Sequence, residues 1–121
     1  MATLIRKPSI VGAAGNKEKI IREFFGNVNS KTSEMSMALM QSPEGWAEPG
    51  QTPEFDEYTL VLKGALKAET GKEVYIISEG EAFVSEKGEW VRYSSPFKGG
   101  ADYIAVCLPA FSPLTVNRDN D

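Results

Sequence analysis

GWAEPGQTPEFDEYTLVLKG, residues 45–64, decides how the rest of this chain is read. Its first half is rich in Gly and Pro and reads as turn. Its second half, EYTLVLKG, is β-branched and aromatic and reads as strand. Strand alternation sets Glu57, Thr59 and Val61 on one face and Tyr58, Leu60 and Leu62 on the other. One row is wholly apolar, while the other is headed by an acid. Gly64 is expected to end the strand in a tight turn, with ALKAE continuing as a further strand. A second stretch, GEAFVSEKGEWVRYSS (residues 80–95), has the same make-up. Glycines break it at Gly80 and Gly88, and Val91 and Tyr93 share a face.

The pattern extends on both sides. MSMALM (35–40), EVYIIS (73–78) and YIAVCLPAF (103–111) read as further strands, separated by Gly, Pro and charged turns. On the N-terminal side, NKEKIIREFF predicts a short helix over residues 16–25. Asn16 suits its N-cap, Ile20, Ile21, Phe24 and Phe25 form a stripe at helical spacing, and Gly26 suits its end. Residues 1–15 are weakly patterned. The tail PLTVNRDND is polar and is expected to be partly ordered at most. One helix followed by many short strands indicates a small antiparallel barrel or sandwich.

Composition narrows the function classes. The chain has 121 residues, suited to one compact domain, and a formal charge of −4. Its basic residues form no stripe, so a nucleic-acid partner is not expected. No apolar run is long enough to cross a bilayer as a helix, and the first residues lack the apolar stretch of a secretion signal. A cytoplasmic protein with no membrane partner is the simplest expectation. Its one cysteine, Cys107, allows no internal disulfide, and the chain contains no histidine. Acid–base chemistry near neutral pH must then use a perturbed carboxylate, Lys, Tyr or Cys.

The two quoted stretches resemble the paired motifs of the cupin family. Gly45, Gln51, Pro53, Glu57 and Gly64 stand at the spacing of the first motif. Gly80, Glu86, Gly88, Val91 and Ser95 stand at that of the second, and 15 residues (65–79) separate them. The resemblance covers about residues 33–112. A narrower likeness, in EPGQTPEFDEYTLVLKG, KGEWVRYSSP and AVCLPAFSP, is to small cupins grouped with those of ethanolamine utilisation. In metal-dependent cupins the positions of Gln51, Pro53 and Val91 are histidines and Glu57 is the fourth ligand. Here the motif proline is Glu86 and the motif asparagine is Ser95. Members of the narrower group carry a histidine where this chain has Asn117, which argues against a role for the tail.

The resemblance implies an all-β fold: a cupin jelly-roll β-barrel with one short N-terminal α-helix. One domain spans 1–121, with an arm and helix over 1–30, the barrel over about 33–112 and a polar tail over 113–121. It also implies a homodimer, with the Tyr58, Leu60 and Leu62 face covered by a partner or by the helix. In cupins the Glu57 position points into the barrel, where a carboxylate without a metal must be hydrogen-bonded or protonated. The four ligand positions offer an amide, a carboxylate and two groups with no side-chain donor, so neither metal nor cofactor is expected. Gln51, Glu57, Arg92 and Tyr93 are the candidate polar ligand contacts, and Trp46 and Trp90 the candidate apolar wall. Three functions stay open. The barrel binds a small polar metabolite, a sugar or a carboxylate. Alternatively it is an isomerase or lyase with Glu57 and Tyr93 as catalytic base and acid, or a non-catalytic dimeric accessory protein with a filled barrel.

Overall fold

The computed structural model describes residues 1–120. Nine strands form in chain order: β1 (Ser9–Val11), β2 (Ile20–Phe25), β3 (Ser36–Ser42), β4 (Trp46–Ala47), β5 (Asp56–Thr70), β6 (Val74–Ser78), β7 (Ala82–Ser85), β8 (Val91–Ser95) and β9 (Ala101–Leu108). All their pairings are antiparallel. One sheet runs β1-β2-β3-β9-β5-β7, and the other runs β6-β5-β8-β4. Strand β5 belongs to both. Its first half, to Gly64, pairs with β7 and β9, and its second half, from Ala65, pairs with β6 and β8.

Gly64 is therefore not the tight turn that the sequence suggested. It is the bend at which one 15-residue strand leaves the first sheet and enters the second. Its φ is +77°, and a Cβ there would lie 2.1 Å from the Gly100 carbonyl oxygen. Only glycine meets both demands.

The helix expected over 16–25 does not form, and no α-helix forms among the described residues. Ile20–Phe25 is strand β2, with β1 on one side and β3 on the other. A stripe at i, i+1, i+4 and i+5 fits a helix face, but six β-branched and aromatic-rich residues give under two helical turns, which is marginal alone. Two neighbouring strands supply the backbone partners instead. Asn16 caps no helix; its side chain accepts from Ala47 N at 2.8 Å and donates to Gly45 O at 3.2 Å. The tail is also more ordered than expected. Glu54 N donates to Thr115 O, Thr52 N to Asn117 O, and Asp119 N to Gly50 O. Gln51 bridges to Val91 on one side and Arg118 on the other, so the tail forms part of the wall.

The main core gathers Trp46, Val61, Leu66, Ala68, Ile77, Val91, Tyr93, Ala101 and Tyr103. A smaller cluster of Phe55, Cys107 and Val116 closes the other end, with Phe111 against it. The alternation in β5 is as expected. Thr59 and Val61 are buried, while Tyr58, Leu60 and Leu62 are each more than 40% exposed.

Candidate functional site

Between the sheets lies a cavity of about 60 Å³, room for on the order of four waters. Inward-facing residues of the strands build it two apart. Strand β3 gives Ser36, Ala38 and Met40, β5 gives Glu57 and Thr59, β8 gives Tyr93, and β9 gives Tyr103, Ala105 and Cys107. The segment ahead of β2 adds Ala13, Ala14 and Lys19, the turn after β4 adds Glu48 and Gln51, and the tail adds Arg118. Glu23 of β2 adds a further acid, and Val11, Ile21, Phe55 and Phe111 complete a largely apolar wall with charged groups set into it.

Three polar atoms around this space are enclosed and have no hydrogen-bond partner among the described residues: Glu57 Oε1, Tyr93 Oη and Arg118 Nε. The other Glu57 oxygen, Oε2, accepts the Cys107 thiol at 3.8 Å. Tyr93 lies close enough to Glu57 for each to shift the other's proton. Its hydroxyl still does not reach hydrogen-bond geometry with Oε1, so both groups remain open toward the cavity. Lys19 Nζ donates to the Tyr103 hydroxyl and stands 3.9 Å from the centroid of the Trp46 ring. The Tyr103 hydroxyl in turn lies 3.3 Å from Ser42 Oγ.

Burial displaces the proton equilibria of Lys19, Glu48, Glu57, Tyr93, Tyr103 and Cys107. It raises Glu57 above the usual carboxylate range, against the opposing pull of Lys19 and Tyr93. It raises Glu48 to about 7, with Lys19 pulling the other way. It lowers Lys19 to about 8, opposed by Glu48 and Glu57. Tyr93 and Tyr103 are pushed well up, by burial first and by the nearby carboxylates second. Burial, then Glu57, also raises Cys107, so its thiol stays protonated and is a poor nucleophile.

Of the residues proposed from sequence, Gln51, Glu57 and Tyr93 meet at this cavity. Trp46 is 1% exposed and packs behind it, its Nε1 donating to Ala14 O at 3.0 Å. Trp90 and Arg92 do not reach it. They border a shallow polar cleft on the outside with Gly15, Asn16 and Pro49. Trp90 Nε1 donates to Asp119 Oδ2 at 2.8 Å, and Arg92 Nε to Glu48 O at 3.2 Å. Arg92 is thus no partner for Glu57; alternation in β8 turns it outward while Val91 and Tyr93 turn in.

Sequence reasoning missed Lys19, Glu48, Tyr103 and Arg118. Tyr103 could have been found, because it shares a strand face with the apolar Ala105 and Cys107. Lys19 could not, once its segment was assigned to a helix. As for a metal, Gln51 and Glu57 line the cavity, but Pro53 has no donor and Val91 is apolar. No three His, Cys, Asp or Glu side chains stand together as a ligand group among the described residues. This donor set does not fit a transition metal.

No family model matches the chain. It is 42% identical over 95 residues to a Myxococcus xanthus protein named endoribonuclease YbeY, a match covering 78% of this chain but 32% of that one. The chain thus spans about a third of that relative's length. Solved structures match it much more fully. An ethanolamine utilization protein Q from Salmonella typhimurium aligns with a TM-score of 0.68 at 18% identity, over 87% of this chain and 98% of that one. A predicted oxalate decarboxylase from Thermotoga maritima aligns at 0.73 and 15% identity, over 88% and 99%. The cupin domain of Schizosaccharomyces pombe Cnp3 aligns at 0.66 and 10% identity, over 77% and 62%. The class is therefore set by architecture: this chain is a cupin-fold β-barrel. Among the structures it resembles are EutQ proteins from Salmonella typhimurium and Clostridium difficile.

Proposed function

We propose that the barrel binds a small polar metabolite in the cavity bounded by Gln51, Glu57 and Tyr93. The observation that carries this reading is the trio of enclosed polar atoms on Glu57, Tyr93 and Arg118 with no protein partner. A buried polar atom left unpaired costs on the order of 1–3 kcal/mol. Three around one space are better explained by a ligand that satisfies them than by packing. A thermal-shift screen of small sugars, diols and acids tests it. A rise of several degrees with one chemical class is expected for the parent and its loss in Glu57→Gln. The reading fails if no class shifts the parent.

The raised Glu57 beside Tyr93 supports a second reading, an isomerase or lyase with Glu57 as base and Tyr93 as acid. A rate that rises with pH through an ionisation well above that of a free carboxylate would support it. The accessory-protein reading calls for a filled barrel, and the cavity favours the ligand-binding reading over it. The ribonuclease name of the longer relative is not carried over, because a chain of charge −4 without a basic stripe is poorly suited to RNA. A cytoplasmic setting without nucleic-acid or membrane partners is part of the same proposal. No helix among the described residues is long and apolar enough to cross a membrane.

A homodimer belongs to the same proposal. Tyr58, Leu60 and Val84 stand exposed beside Ile104 and Val106 on the outer face of the first sheet. A contiguous apolar sheet face of this kind suits a protein partner. Leu60→Glu should shift the chain from dimer to monomer in size-exclusion chromatography with light scattering, at unchanged circular dichroism. A parent that is already monomeric at micromolar concentration would overturn this.

A further inference from the structure

One cationic group in the cavity wall is left without a protein partner among the described residues. Three carboxyls, Glu23, Glu48 and Glu57, and two cations, Lys19 and Arg118, line it; Glu23 is already engaged by the Val28 and Asn29 amides. Burial pushes Glu48 and Glu57 toward their neutral forms. A guanidinium stays charged at any ordinary pH. Arg118 keeps an enclosed Nε–H with no protein acceptor among the described residues, and its guanidinium carbon lies 5.7 Å from the centroid of the Phe111 ring. Its backbone is fixed by the bridge to Gln51. The site therefore presents an unpaired, positioned cation in a mostly apolar chamber. An uncharged sugar would leave that cation unmatched, and a space for on the order of four waters suits a ligand of few heavy atoms.

We propose that the ligand is a short-chain monocarboxylate whose carboxylate is anchored by Arg118, with its carbon chain against the apolar wall and any further oxygen at Glu57 and Tyr93. The planar fork of a guanidinium matches a carboxylate, and such charge-assisted bonds are about twice as strong as neutral ones. This rests on the binding-pocket reading and names its ligand class.

The test is isothermal titration of the purified chain at pH 6 with propionate, lactate and pyruvate. Propionamide, propane-1,2-diol and inorganic phosphate are titrated in parallel. At least one acid should bind, and its amide or diol counterpart should bind about tenfold more weakly or not at all. Arg118→Gln should weaken the acid about tenfold or more, and Arg118→Lys less. The comparison of acid with amide uses the parent chain, so it stands even if Arg118→Gln fails to fold. Equal binding of acids and neutral analogues, stronger binding of phosphate, or undiminished acid binding by folded Arg118→Gln each overturns the anchor and leaves the pocket intact. Binding of none of the probes overturns both.

Discussion

Between pH 4.5 and 7 this protein should lose stability where most proteins gain or hold it, and Glu48→Gln should remove much of that loss. Glu48 is 8% exposed and its proton affinity rises from 4.5 to about 7 on folding. A carboxyl raised in this way binds more protons folded than unfolded. Its contribution is fully present below pH 4.5 and is lost as pH rises through about 7. A shift of that size is worth on the order of 3 kcal/mol, or on the order of 10 °C in melting temperature for a domain of this size. Lys19, Glu57 and Arg118 are the charged groups that face Glu48. Glu57 is raised by burial and acts in the same direction. Lys19 acts in another window. Lowered from 10.5 to about 8, it adds stability above pH 10.5 that is lost as pH falls through about 8. Melting temperatures of parent and Glu48→Gln, taken each half unit from pH 4 to 9, decide the matter. The variant should melt higher at pH 8 and equally at pH 4. Equal melting at both ends would mean that Glu48 ionises freely and is not enclosed.

The same displaced equilibria shape ligand binding. As pH rises toward 8, Glu48 gains negative charge and Lys19 begins to lose its proton. The chamber turns less favourable to an anion from both sides. Stability and anion affinity should therefore fall together through neutral pH. This coupling is what a site kept polar at the expense of the core would show.

The barrel was legible in the sequence and the chamber only in part, for different physical reasons. Period-two alternation in β5 told Glu57 from Tyr58, because a strand face is fixed once its buried row is known; the same alternation in β8 sets Tyr93 inward and Arg92 outward, against the place given to Arg92 among the ligand contacts. The glycines marked where the chain bends. They could not say whether Gly64 ends a strand or carries it between sheets, since both need positive φ. IIREFF carried a helical stripe in its side chains and a strand preference in its residue types, and the edge of β3 decided for strand. That reversal concealed Lys19, which a strand lead-in turns toward Tyr103. Arg118 was hidden because a polar tail gives no periodicity. Its place is set by backbone bonds to residues 50–54, which are more than sixty positions away.

Gly64→Ala should be among the most damaging single changes in the chain. A β-carbon at that position would meet the Gly100 carbonyl oxygen at 2.1 Å, and the φ of +77° is strained for any other residue. The backbone strain is worth about 1–3 kcal/mol and the overpacking about 1–3 kcal/mol more. Their sum is a large share of the marginal stability of a small domain. Neither strain has an easy outlet. The carbonyl belongs to a turn fixed by Gly100 N donating to Phe97 O, and Gly100 itself has a φ of +71° with backbone atoms of Ser42 and Pro43 in the space of its missing Cβ. Opening the bend would also change the angle between the halves of β5. The first half carries Glu57 and Thr59 to the cavity, and the second pairs with the strand that carries Tyr93. Gly71→Ala is the matched control, because a β-carbon there meets nothing within 4 Å. Urea unfolding should put Gly71→Ala within about 0.5 kcal/mol of the parent. It should put Gly64→Ala at least about 2 kcal/mol below it, with ligand affinity lost where any folded fraction remains. Similar midpoints for the two variants would show that β5 crosses between the sheets without needing this bend.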